Sequence, residues 1–194
     1  MRRCYLYALT LACITSSHAQ STFNIAINPN TKYQTIADFG ASDCWTAEYV
    51  GRYFNDIQKK QAAEWLFSKD IESDGKPKGI GLSAWRINLG AGSAEQGAAS
   101  NIADESRRVE CYLNSDGTYN WNKAQGQQFF MQQAKQYGVE HFVLFSNSAP
   151  IYMTKNGLAN NKNNAFNANL KNEAYDKFAE FLAACAEHFT TKGY

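Results

Sequence analysis

Histidine is scarce in this sequence, and the few histidines do not form a pattern that binds metal. The chain has three, His18, His141 and His188. None has a second histidine or a cysteine at ligand spacing, so no metal site is predicted. A G-x-S-x-G elbow is also missing, which removes the commonest signature of a serine hydrolase. His141 and His188 are therefore interpreted as structural residues, and no cofactor is expected.

Cysteine is too sparse and too widely spaced for a disulfide framework. Two of the five cysteines lie in the first 13 residues, and Cys44, Cys111 and Cys185 remain. Three cysteines allow at most one bridge, and the sequence leaves its pairing open. We favour the interpretation that all three are small buried apolar residues.

The chain also lacks an excess of charge of either sign, with 19 basic and 18 acidic residues. A nearly neutral chain has no general attraction for nucleic acid or for anionic lipid. No apolar segment is long enough to span a membrane. The expected partner is therefore a neutral or small molecule, and no nucleic-acid or membrane-spanning role is predicted.

The first 19 residues have the pattern of a secretory signal peptide. Arg2 and Arg3 precede a short apolar run, and small residues follow at Ser17 and Ala19. This order of charge, apolar run and cleavage site predicts export, either secreted or periplasmic. Lipoprotein processing at Cys13 is a weaker alternative. Residues 20–194 would then form the mature chain.

Strand and helix patterns alternate along the mature chain. Alternating units of this kind predict an α/β fold with a parallel sheet. The predicted elements are strands 22–28 and 32–39, a helix over 46–69, a strand over 82–90, a helix opened by Asn122 and ended by Gly138, a buried strand within 139–148, and a helix from about residue 172 to Gly193. The long connections follow the strands, where parallel α/β folds hold their active sites.

Polar and aromatic residues cluster after each of the three main strands. Hydroxyl-binding groups beside aromatic rings are the chemistry of a carbohydrate site. The candidate binding residues are Asp43, Trp45, Arg86, Asn88, Asn147, Ser148 and Tyr152. Each could instead cap a turn or fill a core, but three clusters at three strand ends favour a site.

The segment "GAGSAEQG" at 90–97 resembles a nucleotide loop only superficially. Glu95 stands where the last glycine of G-x-G-x-x-G is needed, and no helix was predicted to start there. Nucleotide binding is therefore rejected. Arg86, in the preceding strand, alternates with apolar residues and needs a partner if it is buried. A structural ion pair and a role in a binding site are equally compatible with the sequence.

Three motifs carry a family resemblance. The segments "DFGASDCW", "WRINLGAGSAEQG" and "FSNSAPIYMTKNG", in this order, resemble the strand-1, strand-2 and strand-3 motifs of glycoside hydrolase family 30. The similarity extends from Phe23 to Tyr194 and is greatest for the endo-β-1,6-galactanase branch. The resemblance implies a retaining glycosidase on a (β/α)8 barrel, with strand 22–28 belonging to a side β-sandwich. It also implies that Arg86 supports the catalytic carboxylates, that Asp43 and Trp45 line the sugar pocket, and that the loop with Asn147, Ser148 and Tyr152 shapes it.

The resemblance also places the catalytic pair outside this chain. Retaining hydrolysis needs two carboxyl groups about 5 Å apart, and the family carries them after strands 4 and 7. We therefore expect the acid/base and nucleophile glutamates beyond Tyr194, with residues 20–194 forming about three β/α units of a monomeric enzyme. The fragment alone is expected to be inactive. A non-catalytic carbohydrate-binding fragment and an enzyme for another β-linked glycan, such as β-1,6-glucan, remain alternatives.

Overall fold

The computed structural model describes residues 23–164 and 166–194, which fall into two units. The predicted signal peptide at 1–19 lies outside the described residues. In the first unit, residues 23–35 are exposed and contain only a turn, closed by a hydrogen bond from Thr31 N to Asn28 O (3.2 Å). The predicted strand 22–28 is therefore wrong for residues 23–28. Alternating residues form a strand only where another strand supplies backbone partners, and none does so here.

The second unit, from Ile36 to Tyr194, contains a three-stranded parallel sheet in the order β1-β2-β3. The strands are β1 (Gly40–Ser42), β2 (Ala84–Asn88) and β3 (His141–Phe145). In the register, Gly40 lies opposite Ala84, and Ala84 lies opposite His141. The alternation of strands and helices confirms the predicted α/β class and gives a partial, barrel-like fold. The strand predicted at 32–39 is wrong, because none of these residues is in a strand and β1 begins only at Gly40.

Helices connect and cover the strands of the second unit. They are α1 (Thr46–Tyr53), α2 (Asp56–Phe67), the short α3 (Ser93–Gln96), α4 (Gln125–Gln136) and α5 (Tyr175–Thr191). Single 3-10 turns lie at Gly97–Ser100, Glu105–Arg107, Ile151–Met153 and Asn172–Ala174. Among the described residues, no helix is long and apolar enough to cross a membrane.

The single helix predicted over 46–69 is two helices. Asn55 starts α2 with a capping box, because its side chain accepts a hydrogen bond from Gln58 N while the Gln58 side chain accepts one from Asn55 N. The break shifts the phase of the helical face. Tyr53, Ile57 and Trp65, which a single continuous helix would place on one stripe, are each more than 60% exposed.

The core lies between the sheet and helices α2, α4 and α5. Trp85, Ile87 and Leu89 are buried on one side of β2, as the period of two predicts. Phe67 of α2 packs edge-on against Trp85, with ring centroids 5.0 Å apart. Burial of these side chains is the main stabilising contribution of the unit.

Helices α1 and α4 approach closely because each carries a glycine at their contact. A Cβ atom on Gly51 would lie 2.4 Å from Gly126 O, and one on Gly126 would lie 2.0 Å from Glu48 O. Any larger residue would separate the helices. This contact fixes the start of α4 beside the end of β1.

Strand β3 was predicted to be buried, and this prediction is wrong. Its burial alternates between exposed and half-buried, and Val143 is 50% exposed. Within the described chain, β3 pairs only with β2 and is therefore an edge strand. An apolar sequence cannot bury a strand whose second neighbour is missing.

Candidate active site

The carboxyl ends of the three strands meet through direct hydrogen bonds. Asp43 follows β1, Asn88 ends β2, and Asn147 follows β3. Asn88 N donates to Asp43 Oδ1 (3.0 Å), and Asn147 Nδ2 donates to Asn88 Oδ1 (3.2 Å). Asp43 and Asn88 are each only 4% exposed. The structure therefore brings one candidate from each sequence cluster into a single polar network.

Gln127 completes this network from helix α4, and the sequence analysis missed it. Its Nε2 donates to Asp43 Oδ2 (2.7 Å) and to Asn88 O (2.9 Å), and its side chain is fully buried. Its backbone N–H donates to Glu48 Oε2 (2.9 Å). In the sequence, Gln127 is a polar residue next to Gly126 on the apolar face of a predicted helix. Nothing in the sequence showed which strands that face would meet.

Burial raises the pKa of Asp43 to about 7, although hydrogen bonds from Gln127 and Asn88 and the charge of Arg86 act in the opposite direction. A carboxyl group with this pKa is largely neutral in mildly acidic solution. Each of its oxygens also accepts one hydrogen bond from the protein. Asp43 is therefore positioned to hold the ends of β1 and β2 together under the cleft.

Arg86 lies on β2, and no described carboxylate pairs with it. Its Nε donates to Ser42 Oγ (2.9 Å), and its guanidinium carbon lies 4.2 Å from the centroid of the Phe145 ring. These contacts link β2 to both neighbouring strands and leave the terminal guanidinium N–H groups without a protein acceptor in the described residues. Of the two interpretations of Arg86, the structural ion pair is not supported, because no acidic partner for Arg86 lies among the described residues.

A small cleft opens above the network. Its walls include Trp45, Asn88, Asn147 and Ser148, four of the seven predicted binding residues. The indole of Trp45 lies beneath Arg107, whose guanidinium carbon is 4.7 Å from the ring centroid. Aromatic surface and amide groups thus share one opening, but its volume of about 40 Å³ is too small for a sugar ring, so these residues form one wall of a carbohydrate site rather than a complete pocket.

Tyr152 does not line this cleft. Its hydroxyl donates to Leu113 O and contacts Cys111 Sγ at 3.9 Å, and its ring borders a second groove. Burial, together with the nearby Cys111 and Glu95, raises the Tyr152 pKa well above its usual value. A role of Tyr152 in substrate binding stays a prediction, with a different location from the other six residues.

No aspartate or glutamate of the described residues lines the cleft. The two buried carboxylates, Asp43 and Glu48, accept hydrogen bonds from Gln127 side-chain and backbone donors. Within residues 23–164 and 166–194, no three histidine, cysteine or acidic side chains are grouped to hold a metal ion. Cys44, Cys111 and Cys185 are free thiols; the latter two are buried, as predicted, and Cys44 is half-buried.

The sequence profile of O-glycosyl hydrolase family 30 matches residues 22–194, which is nearly the whole chain. The chain belongs to this family. An endo-β-1,6-galactanase from Hypocrea rufa is 28% identical to this family 30 chain over 202 residues, covering 97% of the chain and 40% of the relative. An exo-β-1,6-galactobiohydrolase from Bifidobacterium longum subsp. longum is 24% identical and is covered to 15% of its length.

Solved structures support the fold of this family 30 chain. A conserved exported protein from Bacteroides fragilis superimposes with a TM-score of 0.77 at 37% identity, over 87% of this chain and 34% of that protein. SrfJ from Salmonella typhimurium superimposes with a TM-score of 0.59 at 16% identity, over 83% of this chain and 32% of that one. The chain thus spans less than half the length of each of these relatives.

Proposed function

We propose that this chain is the N-terminal part of a secreted, retaining glycosidase that cleaves β-1,6-linked galactan. The observation that carries the proposal is the hydrogen-bonded meeting of Asp43, Asn88 and Asn147 at three strand ends, beside Trp45, in a family 30 chain. The two curated relatives are both named for action on β-1,6-linked galactose. The complete protein would close the partial sheet into a (β/α)8 barrel with a side β-sandwich.

In this proposal, Arg86 orients the catalytic carboxylates. Its terminal N–H groups have no acceptor among the described residues, while Ser42 and Phe145 fix the rest of its side chain. A rigid guanidinium with open donors forms strong, charge-assisted hydrogen bonds with carboxylates. Trp45 would stack against a sugar ring with the face that Arg107 does not cover, while Asn88, Asn147 and Ser148 would contact hydroxyl groups.

The acid/base and the nucleophile would come from other parts of the protein. Asp43 is unsuited to either role because it is only 4% exposed and is not part of the cleft wall, and it hydrogen-bonds Asn88 and Gln127. Glu48 contacts Gln127 N and Arg52 rather than the cleft. These residues therefore support the site from beneath and do not perform the chemistry.

The test is hydrolysis by the native secreted protein of β-1,6-galactan, with β-1,6-glucan as the matched substrate. We expect oligosaccharides from galactan only, released with retained anomeric configuration as measured by proton NMR during the first turnovers. Cleavage of glucan alone would reassign the substrate. Binding without cleavage of either glycan would support the non-catalytic alternative and contradict the proposed hydrolysis.

A further inference from the structure

A second groove lies outside the cleft, on the same edge of the sheet. It is bordered by the loop 113–119 from the β2–α4 connection, by Tyr152 and Lys171 from the β3–α5 connection, and by the first turns of α5. Its volume of about 520 Å³ is within the range of small-ligand sites. The cleft is built from the same two connections, through Val109 and Ser148 among others.

An aromatic ring with a rigid support forms one wall of this groove. The Tyr119 ring stacks on Trp121 with centroids 5.0 Å apart and an angle of 11° between the planes. Trp121 in turn stacks on His188 of α5 at 3.9 Å and packs against the buried ring of Tyr112. The loop that carries Tyr119 is held by an antiparallel bridge between Leu113 and Tyr119. A platform fixed in this way loses little entropy when a ligand stacks on it.

Polar groups of both charges face the same groove. Glu173, Lys177 and Glu180 of the α5 segment line it, and none forms an ion pair or a side-chain hydrogen bond within the described residues. Asp116 and Lys171 add one acidic and one basic group. A mixture of open donors and acceptors with little net charge favours a neutral ligand that both donates and accepts hydrogen bonds.

We propose that this groove is a second glycan-binding site, which holds a neutral hexose unit of the polysaccharide against Tyr119. The sugar's apolar face would stack on the ring, and its hydroxyl groups would contact Glu173, Lys177 and Glu180. Since the groove and the cleft share an edge of the sheet, a polymer in the cleft can extend into the groove. The inference rests on the proposed function for its ligand, but binding at the groove does not require hydrolysis.

The primary test is affinity electrophoresis of the native protein in gels that contain β-1,6-galactan. We expect Tyr119→Ala to weaken retardation about three- to tenfold, the range that one aromatic contact supplies. Tyr119→Phe keeps the ring and should bind like the unmodified protein. Tyr53→Ala removes an exposed tyrosine of α1 outside the groove and should also leave binding unchanged. Equal retardation of Tyr119→Ala and the unmodified protein, or no retardation of the latter, would overturn the proposal.

Kinetics separate a second binding site from a structural role. In Tyr119→Ala, the KM for polymeric galactan should rise while kcat/KM for a short galacto-oligosaccharide stays unchanged. Equal losses of activity on both substrates would show that Tyr119 has a structural role and would overturn the proposed second binding site. Glu180 is exposed, so Glu180→Gln carries little risk to folding. This variant should weaken polymer binding in the same assay. An unchanged affinity would show that Glu180 and the start of α5 do not contact the glycan. If Tyr119 governs binding in a protein that does not hydrolyse galactan, the groove stands and the proposed activity fails.

Discussion

Strands β2 and β3 are equally long and both largely apolar, yet they occupy different environments. Each has five residues, and three of the five in β2 and four in β3 are apolar. Ile87 of β2 is fully buried, whereas Leu144, its partner in the register on β3, is only half-buried. The difference arises from neighbours, because β2 has a strand on each side and β3 has one. Burial of a parallel strand is thus a property of the sheet rather than of its own residues.

The largest expected difference between the two strands is in stability. Ile87→Ala should lower the free energy of unfolding by about 2–5 kcal/mol, because it removes buried methyl groups and leaves a cavity. Leu144→Ala, at the position of β3 that pairs with Ile87, should cost less, about 1–2 kcal/mol, because Leu144 is only half-buried. Denaturant titration measures both. Equal losses would mean that another part of the protein covers β3.

The same comparison shows which features of the fold can be predicted from the sequence and which cannot. Period-two alternation correctly assigned the buried face of β2 because Trp85, Ile87 and Leu89 all meet helices of this chain. It failed for residues 23–28 and for β3, where the deciding contact is a neighbouring strand that periodicity does not show. The break at Asn55 is marked in the sequence by a capping box, Asn55 followed by Gln58, but the helical pattern over 46–69 predicts one continuous helix.

The candidate site was predictable in its polar strand ends but not in its supports. Asp43, Asn88 and Asn147 were found because each directly follows or ends a strand, and parallel strands bring these ends together. Gln127 was missed because its role depends on the packing of α4 under the sheet. Tyr152 is only a few residues from Asn147 and Ser148 in the sequence, which predicts that it shares their cleft. The turn at Ile151–Met153 instead directs its side chain toward Leu113.

Arg86 links the two strands, and its removal should have the next largest effect. Its guanidinium belongs to β2 and rests on the Phe145 ring of β3. We expect Arg86→Ala to lower kcat/KM on galactan by about 10²-fold, the typical cost of losing a charged group that stabilises the transition state. Thermal unfolding should change little. Near-normal turnover in this variant would contradict the role assigned to Arg86, and Arg86→Lys tests whether charge alone is sufficient.

Asp43, whose side chain binds the end of β2, should make stability depend on pH. Its pKa is about 7 in the folded chain against an ordinary value of 3.8, so the folded state keeps a proton that the unfolded state loses. Stability should therefore fall as pH rises from about 4 to about 7, by up to about 1.4 kcal/mol per pH unit, and then level off. Denaturant titrations of the native protein and of Asp43→Asn should diverge over this interval. A pH-independent difference between them would show that Asp43 titrates normally.

Asp38 contacts the first residue of β3, at the end of the sheet opposite to Asp43. Its effect on the pH dependence of stability should be the smallest and should have the opposite sign to that of Asp43. Burial raises its pKa, but hydrogen bonds from Ser83 and from His141, at 2.6 Å, outweigh that and lower the pKa below its ordinary 3.8. A lowered pKa stabilises the folded chain at pH values above the pKa that Asp38 has in the unfolded chain. This stability is lost as the pH falls through the pKa that Asp38 has in the folded chain. Asp38→Asn should therefore be slightly less stable than the unmodified protein at pH 7, with the difference shrinking below pH 4 in thermal scans. Because His141 is 64% exposed, solvent and salt screen the pair, and added salt should reduce the difference further. A loss as large as that of Ile87→Ala would show that the start of β3 is buried in the native protein, and the contrast between the two strands would then no longer hold.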